Sequence, residues 1–182
     1  MNCPKCHTVS LHERDLEANL PSAECPQCAG HWIAGKNYWA WLEGHGETLP
    51  EKPAGDGLSR PVIDTSFAMK CPDCGHILRR ERVGHELDFT LDHCGHCGGL
   101  WFDGGEWETL QSRNLHDQVH AIFSHIWQSR VSQEERAREQ AHLLQAKFGA
   151  EDLAEARRIR DWLAKHPKKY DLYALIHPDQ MI

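Results

Sequence analysis

Residues 94–106 read CGHCGGLWFDGGE, and the first four of them contain two cysteines separated by two residues. A second such pair lies upstream, where residues 71–74 read CPDC, with 19 residues between the two pairs. Two cysteines at this spacing lie on one tight turn and supply two corners of the tetrahedron that zinc prefers. A β-hairpin can bring a second turn alongside to supply the other two. The sequence therefore predicts a four-thiolate metal site with the ligands Cys71, Cys74, Cys94 and Cys97.

The same arrangement occurs near the start of the chain, where residues 3–6 read CPKC and residues 25–28 read CPQC. From the third cysteine onward the two copies are offset by 69 residues, so that Trp32 corresponds to Trp101. Because the two copies use all eight cysteines, we expect two structural zinc ions per chain. Iron in place of zinc and redox-active cysteine pairs are the alternatives. The ligands predicted for the first site are Cys3, Cys6, Cys25 and Cys28.

The segment between the cysteine pairs of the second copy has the pattern of a hairpin. Residues 77–83 precede a turn signal at residues 84–85, and Leu87, Phe89 and Leu91 then alternate with polar residues. This alternation is typical of a half-buried strand. The first copy alternates less regularly because a proline interrupts it.

The residue after the second cysteine of each metal-binding turn usually needs a positive φ, which glycine adopts without strain. Gly75 and Gly98 meet this requirement in the second copy, whereas His7 and Ala29 stand at the matching positions of the first copy. We therefore expect backbone strain at Ala29 and a less stable first site.

The second copy resembles the bacterial zinc-ribbon family named after the transcription factor IIB zinc finger. The resemblance rests on the motifs at residues 71–75 and 94–106; it is close over residues 68–111 and looser over residues 1–43. It implies a zinc-ribbon fold in which the cysteines are the metal ligands. Through the family's name, it also makes transcription a candidate role.

These patterns predict a small α+β protein, with two tandem β zinc ribbons followed by an α-helical C-terminal module. The first ribbon is expected at residues 1–43 and the second at residues 68–112. Residues 44–67 are rich in glycine and proline and are interpreted as a linker. Residues 113–182 follow a helical pattern and form the C-terminal module.

Capping signals divide the helical segments. Asp103 and Glu106 form a capping box that should begin a short helix in the second ribbon. Ser132 and Glu135 form another, which should begin a charged helix that ends at Gly149. Between them we expect an amphipathic helix, whose apolar stripe consists of Leu115, Val119, Ile122, Phe123 and Ile126.

The charge distribution bears on the class of partner. Residues 1–113 carry 10 Lys and Arg against 17 Asp and Glu, and each zinc bound by four thiolates adds a further net charge of −2. Because phosphate neutralisation supplies most of the non-specific affinity for nucleic acid, this half is poorly suited to that role. Two basic exceptions keep nucleic-acid binding open as an alternative: the Arg79, Arg80 and Arg82 cluster, and residues 157–169.

Two further groups of residues allow a functional interpretation. His116 and His120 are spaced to share one helix face, which superficially resembles a zinc-hydrolase motif and leaves a metallohydrolase as a minor alternative. Since no nucleophile and base converge elsewhere in the sequence, we expect that the chain is not an enzyme. Trp39 and Trp41 either pack on the protein or form a docking surface.

The leading hypothesis is a zinc-binding adaptor or regulatory protein that acts through protein–protein contacts, with possible self-association through the C-terminal helices. The alternative is a transcription-associated or nucleic-acid-binding factor. Because the metal-binding pattern begins at once with Cys3 and no apolar run resembles a signal or a membrane span, we expect a cytoplasmic location and no membrane contact.

Overall fold

The computed structural model describes residues 1–17, 19–45, 61–62 and 64–176. They form two compact units, Met1–Val131 (unit 1) and Ser132–Ile182 (unit 2). Most of the linker predicted at residues 44–67 lies outside the described residues. The strands are β1 (His12–Glu17), β2 (Leu20–Glu24), β3 (His31–Ile33), β4 (Arg79–Gly84), β5 (Leu87–His93) and β6 (Leu100–Phe102). The helices are α1 (Gly35–His45), α2 (Glu106–Ser112), α3 (Val119–Ile122), α4 (His125–Lys165) and α5 (Lys169–Ile176).

Unit 1 is built on a six-stranded antiparallel sheet with the strand order β1-β2-β3-β6-β5-β4. Each ribbon contributes three consecutive strands. The two ribbons meet at the centre of the sheet, where β3 pairs with β6 and Trp32 lies opposite Trp101. The α+β class with two tandem ribbons is therefore confirmed, and the two ribbons share one sheet.

The two faces of this sheet have different coverings. Neighbouring residues of a strand point to opposite faces, so that Ile33 and Trp32 belong to different hydrophobic clusters. The cluster around Ile33 includes apolar residues of α1, α2 and α3, such as Trp41, Leu110 and Ile122. The cluster around Trp32 includes the buried cysteines. One face of the sheet thus carries the helices and the other carries the metal sites.

Most of the predicted apolar stripe packs on the helical face of the sheet. Leu115, Val119 and Ile122 are buried in that core, and Phe123 packs against it partly buried. Ile126 does not join them, since 69% of its surface is exposed. The stripe is also divided between two helices, because α3 ends at Ile122 and α4 begins three residues later.

The long helix α4 begins earlier than predicted. The Ser124 hydroxyl accepts a hydrogen bond from the Trp127 backbone N–H at 3.2 Å, and the Trp127 indole donates to the Val83 carbonyl at 2.8 Å. Ser132 lies inside α4, so the helix start predicted there is wrong. The cap at Ser124 and the anchor on β4 fix the start instead. The break predicted at Gly149 is present, with φ 79° and ψ 168°.

Unit 2 consists of the greater part of α4, together with α5. Among its described residues, Leu163 is the one large apolar side chain that is buried. No residue of α5 is buried. In the part of the chain that the structure describes, no helix has the length and apolar character needed to cross a membrane.

Candidate metal centres

The structure gathers the eight cysteines into two groups of four. Within each group the sulfur atoms all lie within 4.8 Å of one another. The first group consists of Cys3, Cys6, Cys25 and Cys28, and the second consists of Cys71, Cys74, Cys94 and Cys97.

The distances between sulfur atoms suit zinc. In the first group, Sγ atoms lie 3.7 Å apart for Cys3 and Cys28 and 3.9 Å apart for Cys6 and Cys25. In the second group, the Cys71 and Cys97 Sγ atoms are 3.6 Å apart. A zinc–sulfur bond of about 2.3 Å in a tetrahedron requires about 3.8 Å between sulfur atoms. The two clusters therefore fit two zinc ions per chain.

Each metal-binding turn closes through the same backbone hydrogen bond. The N–H of the residue after the second cysteine donates to the carbonyl of the first cysteine at 2.8–2.9 Å in all four turns. All four donor residues have a positive φ, which is 62° at His7, 56° at Ala29, and 74° at both Gly75 and Gly98. The positive φ predicted at Ala29 is therefore present in the structure.

The thiols within each cluster alter one another's acidity. A hydrogen bond from the Cys3 thiol lowers the pKa of Cys28 to about 5, and the same bond is the largest cause of the raised pKa of Cys3. Burial raises the pKa of Cys71 in the second cluster. Four thiolates this close repel one another, so full deprotonation requires a cation at the centre. When bound, zinc supplies that charge and holds the two turns of each ribbon together.

A reciprocal tryptophan contact joins the two ribbons on the face of the sheet that carries the metal sites. A Cβ atom added to Gly99 would lie 2.2 Å from the Trp32 ring, and one added to Gly30 would lie 2.3 Å from the Trp101 ring. Each glycine therefore leaves room for the tryptophan of the other ribbon. Sequence reasoning missed this joint, although the matching offset of Gly30 with Gly99 and Trp32 with Trp101 was the signal for it.

Polar contacts at the metal-binding turns also cross between the ribbons. The Trp32 indole N–H donates to Asp73 of the second ribbon at 3.0 Å, and Lys5 of the first ribbon lies 3.1 Å from Asp103 of the second. Lys5 and Asp73 occupy the same position in their CxxC turns. Both metal sites are thus tied directly to the opposite ribbon.

The predicted capping box at Asp103 forms only in part. Glu106 accepts a hydrogen bond from the Asp103 backbone N–H at 2.8 Å. The Asp103 carboxylate is occupied elsewhere, because it accepts bonds from the Thr65 N–H and hydroxyl and from the Trp101 indole. Helix α2 consequently begins at Glu106 after Gly105, which has φ 91°.

The two histidines considered for catalysis have different surroundings. His116 is buried in a turn before α3, where its ring contacts those of Trp41 and Trp107. His120 is exposed on α3 and contacts the ring of Trp39. One helix was predicted to carry both histidines. This prediction is wrong, because His116 lies outside α3. Among the described residues, no group of three or more possible metal ligands includes either histidine.

The remaining candidate residues are divided between core and surface. Trp41 is buried, whereas 48% of the surface of Trp39 is exposed. Arg80 lies 3.4 Å from Asp92, and Arg82 lies 3.7 Å from Asp88. Two of the three arginines in the basic cluster on β4 therefore lie near carboxylates.

Comparison with known families agrees with this geometry. A family model described as a transcription factor zinc-finger of the TFIIB zinc-ribbon type matches residues 2–44 and again residues 70–113. Each match contains one complete set of four cysteines. No curated protein and no solved structure matches the chain.

Proposed function

Because residues 2–44 and 70–113 are two tandem zinc ribbons of the TFIIB type, we propose that the chain is a zinc-stabilised adaptor acting through protein–protein contacts. In this proposal unit 1 is a rigid base held by two zinc ions, and unit 2 makes the specific contact. The proposal assigns no catalytic residue. It places the protein in the cytoplasm, where thiols are kept reduced and available to metal.

The observation that carries the proposal is the apolar surface of unit 2. A domain normally buries most of its large apolar side chains, and a contiguous exposed set marks an interaction site. In unit 2 at least 37% of the surface of each of the following side chains is exposed: Leu143, Leu144, Phe148, Ile159, Trp162, Tyr170, Tyr173, Leu175 and Ile176.

The first half of α4 suggests which partner this surface takes. Ala137, Ala141, Leu144 and Phe148 are all exposed and are spaced by four, three and four residues, which places them on one helix face. In an antiparallel pair of these helices, Phe148 would lie opposite Ala137 and Leu144 opposite Ala141. Large side chains would then meet small ones. The partner we propose is a second copy of this chain.

Changing the large members of this stripe tests the proposal. We expect the full-length, zinc-loaded protein to self-associate in light scattering as its concentration rises. The double variant Leu144→Ala, Phe148→Ala should be monomeric over the same range with an unchanged zinc content. Glu139→Ala is the control, because this exposed residue of α4 lies two residues from both Ala137 and Ala141 and therefore on the opposite helix face. A parent protein that stays monomeric, or a double variant that still associates, would remove the stripe from the interface.

A second candidate function is binding to nucleic acid through unit 2. Residues 157–169 contain six Lys and Arg against one Asp, and none of the six is buried. The triple variant Lys165→Ala, Lys168→Ala, Lys169→Ala should then weaken binding to duplex DNA and reduce its salt dependence. Lys147→Ala is the control outside the segment. Absence of submicromolar binding by the parent protein at physiological salt would leave the adaptor as the better proposal.

A further inference from the structure

We propose that unit 1 has a third cation site, made of the carboxylates of Asp64, Asp103 and Glu106, which takes a divalent cation that prefers oxygen ligands. The site uses no cysteine and is distinct from the two zinc centres. It lies where the last residues before the second ribbon meet the end of β6 and the start of α2.

The three carboxylates are held together by the fold. One carboxylate oxygen from each of the three residues lies within 4.8 Å of one oxygen from each of the other two. Asp64 is fixed by the hydroxyl and backbone N–H of Thr90 on β5. Glu106 is fixed through Oε2 by the Asp103 N–H. The like charges are therefore imposed by the surrounding structure and do not face each other by chance on a mobile surface.

Glu106 provides a second, independent observation. Only 1% of its surface is exposed, and its Oε1 atom has no hydrogen-bond partner among the described residues. A buried oxygen without a partner is rare and costly in a folded protein. In a carboxylate cluster, a metal cation is one of the few groups that satisfies such an oxygen and relieves the repulsion at the same time.

The carboxylates in and around the cluster outnumber the nearby cations by two, which matches the charge of one divalent cation. Asp92 interacts with the same group, which brings the number of carboxylates to four. Two cations face them: Lys5 lies 3.1 Å from Asp103, and Arg80 lies 3.4 Å from Asp92. With all four carboxylates ionised, two negative charges remain. Burial and the neighbouring carboxylates raise the pKa of Glu106 well above its usual range, so a further positive charge nearby would be needed to keep Glu106 ionised at neutral pH.

The ligand set favours a hard cation over zinc. All of the candidate ligand atoms are oxygens, which suit Ca²⁺, Mg²⁺ or Mn²⁺ better than the thiolate-binding metals. Asp103 already accepts hydrogen bonds on both oxygens, so it contributes mainly charge. Glu106 Oε1 is the oxygen without a partner among the described residues. Both oxygens of the exposed Asp64 also accept bonds from Thr90, so Asp64 would bind the ion through a remaining lone pair. The exposure of Asp64 also gives the ion and its remaining waters a path to the site.

Terbium luminescence and calorimetry test the proposal on the full-length, zinc-loaded chain. Tb³⁺ replaces Ca²⁺ at oxygen sites and is sensitised by a nearby tryptophan, and the Trp101 indole donates to Asp103 at 3.1 Å. We expect sensitised emission that Ca²⁺ displaces, and saturable Ca²⁺ binding at one site in calorimetry. Glu106→Gln should weaken both at least tenfold, because the amide keeps an acceptor for the Asp103 N–H but removes the charge.

Two further variants separate this site from its alternatives. Asp64→Asn should also weaken binding tenfold, and because Asp64 is exposed, this variant decides the question if Glu106→Gln reduces the zinc content. Asp88→Asn is the matched control, since this carboxylate of β5 is fully exposed, and it should leave binding unchanged. The proposal is overturned if no Ca²⁺, Mg²⁺ or Mn²⁺ binds, or if binding survives both Glu106→Gln and Asp64→Asn. An infrared band of a protonated carboxyl that disappears in Glu106→Gln would then show that a proton occupies the place assigned to the cation.

Discussion

At the scale of single residues, the metal-binding turns show how far local chemistry determines structure. The ligands and the need for a positive φ follow from the CxxC spacing, since both depend on a few neighbouring residues. The partners of Asp103 could not be inferred in this way. Its carboxylate binds Thr65 and faces Lys5, which lie 38 and 98 positions away in the chain, and a local capping rule has no information about them.

Ala29→Gly should stabilise the first metal site. A non-glycine residue with φ near 56° carries a steric cost of about 1 kcal/mol, which glycine avoids. We expect slower zinc release to a chelator and a higher unfolding temperature, although the added freedom of glycine in the unfolded chain offsets part of the gain.

Gly98→Ala makes the reverse change at the matching position of the second site. The nearest heavy atom to the added Cβ would be 3.9 Å away, so that backbone strain is the main effect. This strain should destabilise the second site by about 1 kcal/mol, and zinc release from it should become faster. If both variants change release in the same direction, positive φ is not what distinguishes the two sites.

At the scale of elements, periodicity correctly predicted the β4–β5 hairpin but not where α4 begins. An alternating pattern records burial on one face of a strand, and this holds wherever the strand finally lies. The start of α4 depends on Trp127, which binds the Val83 carbonyl in another element. The capping box at Ser132 was an adequate local signal that this tertiary contact overrode.

Gly99→Ala should disrupt the joint between β3 and β6. The added methyl group would lie 2.2 Å from the Trp32 ring, which is itself buried. Overpacking of this kind typically lowers the free energy of unfolding by about 1–3 kcal/mol. Urea unfolding monitored at saturating zinc measures the loss. Gly44→Ala in α1 is the control, since its Cβ would meet no atom within 4 Å, and it should not be destabilising.

Removing the C-terminal part of the chain should destabilise unit 1 more when the chain ends before α3 than when it ends after α3. A chain that ends at Arg113 loses Leu115, Val119 and Ile122 from the core of unit 1, and we expect it to unfold at a clearly lower temperature than the full chain. A chain that ends at Val131 keeps these residues. Equal unfolding temperatures for the two shortened chains would show that the segment after α2 contributes little to the core.

At the scale of the whole molecule, repetition in the sequence predicted two ribbons but not their common sheet. Each ribbon could be recognised from its own cysteines, whereas the pairing of β3 with β6 involves strands of only three residues each. Strands so short carry almost no pattern of their own. Their pairing results from the fit of Trp32 and Trp101 to the glycines of the opposite ribbon.

The common sheet predicts that the two zinc sites depend on each other. Cys97→Ser should release the second zinc, and it should also speed release of the first, because the loss of order in β6 removes the neighbour of β3. Cys28→Ser should have the reciprocal effect. The zinc-to-protein ratio and the kinetics of transfer to a chelator measure both. Unchanged release from the remaining site in either variant would mean that the ribbons are energetically independent.

The pairing of β3 with β6 has one more consequence, because both strands belong to the same polypeptide. Two separate ribbons could join in this way only at sufficient concentration, whereas tethered ones meet at an effective concentration in the millimolar range. The joint therefore persists at any dilution and always contains one of each ribbon. Because the joint always contains one copy of each ribbon, the two ribbons can differ in sequence. Position 34 of the first ribbon is alanine, while the corresponding position 103 of the second ribbon is aspartate. A symmetric pair of identical ribbons would have to carry the same residue twice.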